Sequence, residues 1–405
     1  MKRFGLLGHP LSHSLSPRLH AMLGPYSYSL YDTAPDELAS FLKDTALDGF
    51  NVTRPYKKAV IPHLSALSPL AERLGSVNTV VRREDGSLWG DNTDYEGFRF
   101  LLRELPFSPA GKKALILGSG GAAVCVRAAL QDAGAHPVMI SRSGGRYHAP
   151  EEHRDASVII NATPLGQLPY SQEQPLILSP FREIKAVIDL NYNPLRSPLL
   201  LEAETLGACA VGGLPMLAAQ ALAASRLWGV CEKNEKDLPF LIRTLQKHLE
   251  NIVLIGMPGC GKSTLAYHLG ARLERPVYDT DELFEKERGE SAAAFLKREG
   301  EEAFRRAESE LLSRLASVSG AVIACGGGAA TREENYAPLR QNGRIFWIQR
   351  NLGELDIQNR PLSAAQPLEQ LYEARKDAYQ RFADHIIPPQ ESINESLARI
   401  LEVVT

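Results

Sequence analysis

A glycine-rich run in the second half of the chain has the residue types and spacing of a phosphate-binding loop. It reads Gly256-Met-Pro-Gly-Cys-Gly261-Lys262-Ser263-Thr264, and it fits the pattern G-x-x-x-x-G-K-[ST] between a predicted strand and a predicted helix. Glycines let backbone N–H groups converge on phosphate oxygens at a helix N-terminus. The pattern predicts that Lys262 contacts the outer phosphates and that Ser263 ligates Mg²⁺. The other residues of this loop that are expected to bind the phosphates of a nucleotide are Gly259, Cys260, Gly261 and Thr264.

A second glycine-rich run, in the first half, fits the dinucleotide pattern G-x-G-x-x-[GA]. It reads Gly118-Ser-Gly-Gly-Ala-Ala123, and an ordinary strand–helix turn is the alternative interpretation. The next predicted strand ends in Ser141-Arg142-Ser143-Gly-Gly-Arg146, where an NAD enzyme needs an acidic residue for the ribose. Two arginines there favour the extra phosphate of NADP. The residues expected to bind NADP(H) are Gly118, Ser119, Gly120, Gly121, Ala122, Ser141, Arg142, Ser143 and Arg146.

Both loops belong to a series of short apolar runs, each followed by a helical pattern. Continuous rather than alternating apolarity is typical of parallel strands that are covered on both faces. The pattern therefore predicts an α/β protein. The runs are residues 114–117, 158–160, 187–190, 252–255, 322–324 and 345–348.

Composition and charge exclude several classes of protein. The chain has 405 residues, 44% of them hydrophobic and 23% charged, and a formal net charge of −3. Without a basic excess we expect no nucleic-acid or membrane partner. The five cysteines are scattered, with no C-x-x-C pair, which argues against a zinc cluster and favours a reducing, cytoplasmic compartment.

Further motifs of the first half resemble shikimate dehydrogenase over residues 1 to about 245. Their order and spacing, together with the dinucleotide loop, make the resemblance specific. The motifs are Ser12-His-Ser14-Leu-Ser16-Pro17, Asn51-Val-Thr53-Arg-Pro-Tyr-Lys57, Gly75-Ser-Val-Asn78-Thr with Gly90-Asp-Asn-Thr-Asp94, Asp189-Leu-Asn-Tyr192-Asn-Pro194, and Gly213-Leu-Pro-Met-Leu-Ala-Ala-Gln220.

The residue types in these motifs agree with the resemblance. The hydroxyls of Ser14 and Ser16, on a loop before a helix, suit a carboxylate. A lysine and a carboxylate, Lys57 and Asp94, form a proton-transfer pair suited to interconverting a ketone and an alcohol. By resemblance, Lys57 is the acid/base and Asp94 holds it and the substrate hydroxyl. The resemblance also implies substrate contacts by Thr53, Asn78, Tyr192 and Gln220, and cofactor contacts by Leu190 and Gly213.

Motifs after the phosphate loop resemble shikimate kinase over residues 251–405. In chain order they are Tyr278-Asp279-Thr-Asp281, Gly300-Glu-Glu-Ala-Phe-Arg305, Cys325-Gly-Gly-Gly328, Asn359-Arg360-Pro-Leu and Arg375-Lys-Asp-Ala-Tyr379. An Asp-x-Asp at a strand end places two carboxylates on one side, one for Mg²⁺ and one for a substrate hydroxyl.

The kinase resemblance implies a role for each matching residue. Asp279 belongs to the hydration shell of the metal, and Asp281 accepts the proton of the attacking hydroxyl. Arg305 and Arg375 bind the shikimate carboxylate, each with a planar fork that suits it. Gly327, with its neighbouring glycines, allows the backbone to approach the substrate ring. Arg360, in the expected lid, binds ATP and neutralises charge on the transferred phosphoryl group.

Together the motifs predict a fused enzyme with two consecutive activities. The first reduces 3-dehydroshikimate to shikimate with NADPH, and the second phosphorylates the 3-hydroxyl of shikimate with ATP and Mg²⁺. Two alternatives stay open: a quinate dehydrogenase that uses NAD, and a kinase-like module that only senses ATP or shikimate. We expect a monomer or homodimer.

The expected domains follow the motifs. They are a shikimate-binding subdomain over residues 1–105, completed by helices within 213–245; a Rossmann NADP-binding subdomain over 106–212; return helices and a linker over 213–250; and a P-loop kinase domain of three α/β/α layers, similar to nucleoside monophosphate kinases, over 251–405.

Overall fold

The structure, a computed structural model, describes the chain with three short interior gaps and one single-residue gap. The described residues are 1–11, 14–44, 46–141, 150–355 and 367–405. Packing divides them into two compact units. The N-terminal unit is Met1–Tyr192 with Leu199–Gln246, and the C-terminal unit is Asn193–Pro198 with Lys247–Thr405. None of the helices within the described ranges is both long enough and apolar enough to cross a membrane.

Strands and helices are interspersed through the first 249 residues. The described strands are β1 (Arg3–Gly8), β2 (Ser27–Asp32), β3 (Gly49–Val52), β4 (Ala66–Leu67), β5 (Thr79–Arg82), β6 (Leu88–Asp91), β7 (Lys113–Leu117), β8 (His136–Ile140), β9 (Val158–Asn161), β10 (Ala186–Asp189) and β11 (Cys209–Val211). The described α-helices are α1 (Ser16–Leu23), α2 (Leu38–Asp44), α3 (Pro69–Leu74), α4 (Asp94–Arg103), α5 (Gly121–Asp132), α6 (Pro198–Thr205), α7 (Leu214–Leu227) and α8 (Leu238–Leu249).

The N-terminal unit holds two sheets. The first has the order β2-β1-β3-β5-β6-β4 and is mixed, because β5 runs antiparallel to both β3 and β6. The second has the order β11-β10-β9-β7-β8 and is parallel throughout. Strand β9 is buried along its whole length, as its continuous apolar run predicts for a central parallel strand. Polar residues that follow the parallel strands therefore meet at one edge of each sheet.

The two sheets of this unit share one apolar core. It joins Phe98 and Leu101 of α4, which follows the first sheet, to Ile116 of β7 and Val126 of α5 in the second. Helix α7 packs closely on α4 because residue 97 is a glycine: a Cβ there would lie 2.7 Å from the Met216 carbonyl oxygen. Helices α4, α5 and α7 thus connect the sheet that carries Lys57 to the sheet that carries the dinucleotide loop.

The C-terminal unit is built on one parallel sheet with helices around it. Its described strands are β12 (Asn251–Ile255), β13 (Val277–Asp279), β14 (Val322–Ala324), β15 (Gly343–Ile348) and β16 (His385–Ile387). Its described α-helices are α9 (Lys262–Leu273), α10 (Thr280–Arg288), α11 (Ala292–Glu299), α12 (Glu301–Leu315), α13 (Tyr336–Asn342), α14 (Leu368–Phe382) and α15 (Ile393–Val404).

The strand order β13-β14-β12-β15-β16 puts β12 in the centre of that sheet, with the phosphate loop at its carboxyl end. The predicted α/β class is confirmed in both units. Helix α9 begins at Lys262, so Lys262 and Ser263 form its first turn.

Candidate active sites

A cavity of about 760 Å³ in the N-terminal unit collects the predicted residues of the first half. Its walls come from the carboxyl ends of both sheets, which is where open α/β folds bind ligands. The predicted residues that line it are Ser14, Ser16, Thr53, Lys57, Asn78, Asp94, Gly118, Ser119, Gly120, Ala122, Ser141, Leu190, Tyr192, Gly213 and Gln220. Arg142, Ser143 and Arg146 lie outside the described residues, as do Ser12 and His13.

Lys57 and Asp94 form an ion pair inside this cavity. Nζ of Lys57 lies 2.5 Å from Oδ2 of Asp94, and the two side chains are 18% and 9% exposed. Lys57 follows β3, whereas Asp94 is the first residue of α4. The N-terminal end of a helix favours a negative charge, so α4 stabilises the ionised carboxylate. The pair can therefore hold and transfer a proton beside a bound substrate.

A buried amide holds Asp94 from the other side. Nδ2 of Asn78 donates to Oδ1 of Asp94 at 2.8 Å. Oδ1 of Asn78 in turn accepts from the backbone N–H of Thr93 at 2.6 Å and from the hydroxyls of Thr93 and Thr79, both at 3.1 Å. Because its acceptor side is already occupied, the Asn78 amide can only present N–H donors to the carboxylate.

Ser14 and Tyr192 lie together at another part of the cavity wall. The Ser14 hydroxyl accepts from the backbone N–H of Ser16 at 3.2 Å, at the start of α1. Burial raises the pKa of the Tyr192 hydroxyl, and hydrogen bonds with the Leu15 backbone and the Ser14 side chain oppose that shift. Hydroxyls that converge beside a helix N-terminus suit a carboxylate.

The dinucleotide loop has the backbone that a pyrophosphate needs. Gly118 has φ +118°, and a Cβ there would lie 3.0 Å from the Ala162 carbonyl oxygen, so only glycine suits the turn. A Cβ at Gly120 would meet no atom within 4 Å, which leaves open space at the N-terminus of α5. Gly213 packs against Leu190, since a Cβ there would lie 2.1 Å from the Leu190 carbonyl oxygen. The described part of this loop therefore fits NADP(H).

Asn51 lines the same cavity, although sequence reasoning did not select it. Its Nδ2 donates to the Thr79 hydroxyl at 3.0 Å and to the Asn78 carbonyl at 3.3 Å, and its Oδ1 accepts from the Tyr28 hydroxyl at 2.8 Å. The available signal was an asparagine within the short apolar strand β3, because a buried amide there requires partners.

The phosphate loop of the C-terminal unit wraps around the start of α9. Gly256 has φ +145° and a Cβ there would lie 2.4 Å from the Ile348 carbonyl oxygen, while Gly261 has φ +91° and precedes the helix. Nζ of Lys262 is buried and donates to the carbonyls of Gly256 and Met257 at 3.0 and 2.9 Å. The loop thus has the positive-φ glycines and the lysine that nucleotide phosphates require, and Cys260 is buried in it.

Asp279 and Asp281 have different surroundings at the end of β13. Oδ1 of Asp279 caps α10 by accepting from the backbone N–H of Asp281 at 2.9 Å. Oδ1 of Asp281 lies near Gly326, 3.1 Å from the point that a Cβ there would occupy. The described residues contain no cluster of three or more His, Cys, Asp or Glu side chains that could hold a metal. A metal bound by Ser263 and Asp279 would therefore need oxygen ligands from nucleotide and water.

Arg305 and Arg375 meet at the glycine motif. A Cβ at Gly328 would collide with the Arg305 guanidinium, at 2.1 Å from Nη1. Nη1 of Arg375 donates to the Gly327 carbonyl at 3.1 Å. Both arginines are buried, at 6% and 8% exposed. The missing side chains of the glycines make room for two cations beside Asp281, as a carboxylate substrate with a reacting hydroxyl requires.

Two further residues, which had no role assigned from the sequence, complete this site. Glu308, on α12, binds Arg305 through Oε2 and Nη1 at 2.7 Å and is 4% exposed. The Tyr379 hydroxyl donates to the Gly327 carbonyl. Glu308 lies one helical turn after Arg305, and that i, i+3 spacing was the signal. Arg360 lies outside the described residues.

Comparisons with known proteins agree with both halves. The family model "Shikimate dehydrogenase substrate binding domain" matches residues 6–80, and the model "Shikimate kinase" matches residues 258–405. The NADP(+) shikimate dehydrogenase of Moorella thermoacetica is 39% identical over 255 residues, which is 55% of this chain and 86% of that protein. The corresponding protein of Thermus thermophilus is 41% identical over 246 residues, covering 56% and 92%.

Solved structures show the same fold for the N-terminal part. The Thermus thermophilus shikimate 5-dehydrogenase in complex with NADP(H) and shikimate has a TM-score of 0.53 and 38% identity, covering 60% of this chain and 99% of that one. Shikimate dehydrogenase 1 from Peptoclostridium difficile has a TM-score of 0.55 and 29% identity, covering 60% and 98%. The chain belongs to the shikimate dehydrogenase family in its N-terminal part and carries a shikimate kinase domain in its C-terminal part.

Proposed function

We propose that the chain catalyses two consecutive steps of the shikimate pathway, reducing 3-dehydroshikimate to shikimate with NADPH and then phosphorylating the 3-hydroxyl of shikimate with ATP and Mg²⁺. The observation that carries the first step is the Lys57–Asp94 ion pair in a cavity that the dinucleotide loop also lines. The second step is supported by Arg305, Arg375 and Asp281 around the glycine motif.

In the reductase, NADPH bound at the dinucleotide loop would supply a hydride to the carbonyl carbon of the substrate. The carbonyl oxygen gains negative charge as its π bond breaks, and the Lys57 ammonium donates the proton that makes it a hydroxyl. Asp94 keeps the ammonium in place through Oδ2 and is itself held by Asn78 through Oδ1. Ser14 and Ser16 bind the substrate carboxylate, and Thr53, Tyr192 and Gln220 complete the pocket.

In the kinase, Arg305 and Arg375 bind the shikimate carboxylate and so orient the ring. Asp281 accepts the proton of the 3-hydroxyl as that oxygen bonds to the terminal phosphorus of ATP and the bond from that phosphorus to the leaving ADP breaks. Lys262, together with Arg360 as the family resemblance implies, offsets negative charge on the phosphoryl group during its transfer. Ser263 and Asp279 would hold Mg²⁺, which would offset negative charge on the nucleotide phosphates. Almost all of this catalysis is positioning and electrostatics.

One coupled assay tests the proposal with built-in controls. The chain, supplied with 3-dehydroshikimate, NADPH and Mg-ATP, should form shikimate 3-phosphate. Lys57→Ala should lower the reductase rate about 10²–10⁴-fold and leave the kinase unchanged. Asp281→Asn should stop the kinase and leave the reductase unchanged. If the kinase half only sensed its ligands, shikimate would accumulate without phosphorylation, which would contradict the second activity.

The choice of NADP over NAD needs its own test. Replacing Arg142 and Arg146 with uncharged residues should weaken the binding of NADPH about tenfold or more, because a charged hydrogen bond contributes roughly 1.5–3 kcal/mol. The binding of NADH should stay nearly unchanged. Equal losses for both cofactors, or a wild-type preference for quinate with NAD, would contradict NADP specificity.

The free thiols of all five cysteines support a reducing, cytoplasmic location.

A further inference from the structure

Helix α5, which follows the dinucleotide loop, contacts segments that adjoin the first sheet at both of its ends. At the N-terminal end, a Cβ on Gly121 would lie 3.3 Å from Cδ of Lys57 and 3.0 Å from the Ser76 hydroxyl. The helix therefore begins directly against the side chain of the proposed acid/base. The C-terminal end is held by charged and polar groups.

At that C-terminal end, Asp132 binds one residue of α3 and one residue of α4. Its carboxylate accepts from Nη1 and Nη2 of Arg73, just before the end of α3, at 2.8 and 2.7 Å. It also accepts from the Tyr95 hydroxyl at 2.5 Å. Tyr95 directly follows Asp94 in α4. We refer to Arg73, Tyr95 and Asp132 as the latch.

Within the latch, Arg73 stabilises the negative charge of Asp132, and Asp132 stabilises the positive charge of Arg73. The Arg73 guanidinium and the Tyr95 hydroxyl lower the pKa of Asp132 to about 2, and Asp132 raises the pKa of Arg73. A bidentate arginine–carboxylate pair also fixes orientation, which a single ion pair does not. Arg73 and Asp132 are 49% and 37% exposed, so the latch lies at the rim of the shared core. Its loss should leave that core intact.

We propose that the latch is a positioning device for hydride transfer, which holds the dinucleotide helix α5 at a fixed distance from Lys57 and Asp94. This inference rests on the proposed reductase. Helix α5 has 12 residues and spans roughly 18 Å, at 1.5 Å per residue, so one continuous helix joins the latch to Gly121. Fixing its far end therefore limits pivoting at Gly121, which begins the helix against Lys57 beside the expected pyrophosphate site. A displacement of about 1 Å at that point is enough to slow a reaction strongly.

The test is the single-turnover rate of hydride transfer at saturating NADPH and 3-dehydroshikimate. Asp132→Ala should lower this rate about fivefold or more, while the KM values for both ligands change less than about threefold, because the latch touches neither ligand. Arg73→Ala should behave likewise, and Arg73→Lys should recover part of the rate. Tyr95→Phe, which removes one hydroxyl, should give a smaller loss in the same direction.

A matched control variant distinguishes the loss of the latch from the loss of any exposed ion pair in this unit. Asp155 binds Lys113 at 2.7 Å within the dinucleotide sheet region, so Asp155→Ala removes a similar exposed pair without touching α4 or α3. Its hydride-transfer rate should equal that of the wild type. The kinase activity of every variant should also be unchanged, because the substituted residues lie in the N-terminal unit and the kinase residues lie in the C-terminal unit.

Other outcomes decide against the inference. A lower melting temperature for Asp132→Ala with an unchanged hydride-transfer rate would show that the latch only stabilises the fold, and would overturn the proposal. An inactive wild-type chain would instead contradict the reductase itself. Hydrogen exchange would then test the latch without activity: Asp132→Ala should speed exchange at the start of α4 and along α5 relative to Asp155→Ala, and equal rates would overturn it.

Discussion

Asn78 and Asp94 share a hydrogen bond from Nδ2 to Oδ1 of 2.8 Å, which leaves the other carboxylate oxygen, Oδ2, to Lys57. The two oxygens of Asp94 thus have separate partners, one an amide and one an ammonium. Since Asn78 also caps the backbone N–H of Thr93, it links the turn before α4 to the orientation of the catalytic carboxylate. Asn78 is therefore both a wall of the cavity and a positioning residue.

Asn78→Ala should lower kcat/KM of the reductase about tenfold to a hundredfold. The reason is the loss of one hydrogen bond to a charged group, which contributes roughly 1.5–3 kcal/mol. Steady-state kinetics of NADPH oxidation measure the effect. Asn234→Ala, which removes an exposed capping asparagine of the same unit, is the control and should be fully active. Near-wild-type activity of Asn78→Ala would remove this residue from the mechanism.

Glu308→Gln should leave the stability of the C-terminal unit nearly unchanged while it impairs the binding of shikimate by the kinase. Burial raises the pKa of the Glu308 carboxyl, and Arg305 only partly opposes this shift. A raised folded-state pKa means that the stabilisation by this group is complete below the unfolded-state pKa and is lost as pH rises through the folded-state pKa. The neutral glutamine should therefore keep the melting temperature at pH 7.5 within a few degrees of the wild type.

The same variant should raise the kinase KM for shikimate about tenfold, because Arg305 loses the carboxylate that orients it. Thermal melting and kinase kinetics on one preparation measure both effects. Glu310→Gln, an exposed position on the same helix, serves as the control. A large fall in melting temperature with an unchanged KM would show that Glu308 is structural.

His20→Phe should reduce the acid sensitivity of the N-terminal unit. Burial lowers the pKa of the His20 imidazole to about 3, whereas the unfolded chain titrates near 6.5. Above pH 6.5 both states are neutral; as the pH falls from 6.5 towards 3, only the unfolded state gains the proton, so folding free energy is lost. The free energy of unfolding should therefore fall by about 2 kcal/mol by pH 5 and by a figure on the order of 5 kcal/mol by pH 3.

Phenylalanine keeps the stacking of this ring on Tyr28, and the Tyr26 hydroxyl keeps its bond to Ser225. Urea unfolding at pH 7.5 and 5, followed by Trp228 fluorescence with Trp89 and Trp347 replaced by Phe, measures the difference. His136→Phe, at an exposed position, should leave the pH dependence unchanged. A wild-type free energy of unfolding that stays constant between these pH values would contradict the prediction.

Glu274→Gly should stabilise the C-terminal unit by about 1 kcal/mol. Glu274 ends α9 with φ +54°, a left-handed conformation that costs a residue with a Cβ roughly 1–2 kcal/mol. Calorimetric melting of the C-terminal unit measures the gain. Glu274→Ala keeps the Cβ and should give none, so equal melting temperatures for the glycine and alanine variants would refute the explanation by backbone strain.

The phosphate loops and the α/β class could be predicted because their signals are local. Residues 252–255 and 322–324 were expected as strands, and the structure has β12 at Asn251–Ile255 and β14 at Val322–Ala324. In each loop the glycines, the strand and the following helix lie within about 20 residues of one another. Chain connectivity alone therefore brings them together, whatever the rest of the fold does.

The pairing of distant residues had a different origin. Lys57 and Asp94 were expected to act together only through the resemblance to a family, since nothing in a spacing of 37 residues brings them to 2.5 Å. Asn51 and Tyr379 stood in the quoted motifs without an assigned role, and Glu308 was not selected, because each is a common residue type whose role depends on what faces it. Burial in a cavity supplies that role, and burial is not a local property.

By itself the sequence determined which segments become strands, which loops can bind phosphate, and which family the motifs match. The tertiary structure alone decided that Asp132 meets Arg73, 59 residues earlier in the chain, and Tyr95, 37 residues earlier. An exposed aspartate at the end of an amphipathic helix carries no sign of such a contact. The physical reason is that local patterns specify the elements, whereas the packing of α4 and α5 through a shared apolar core decides which of their polar ends meet.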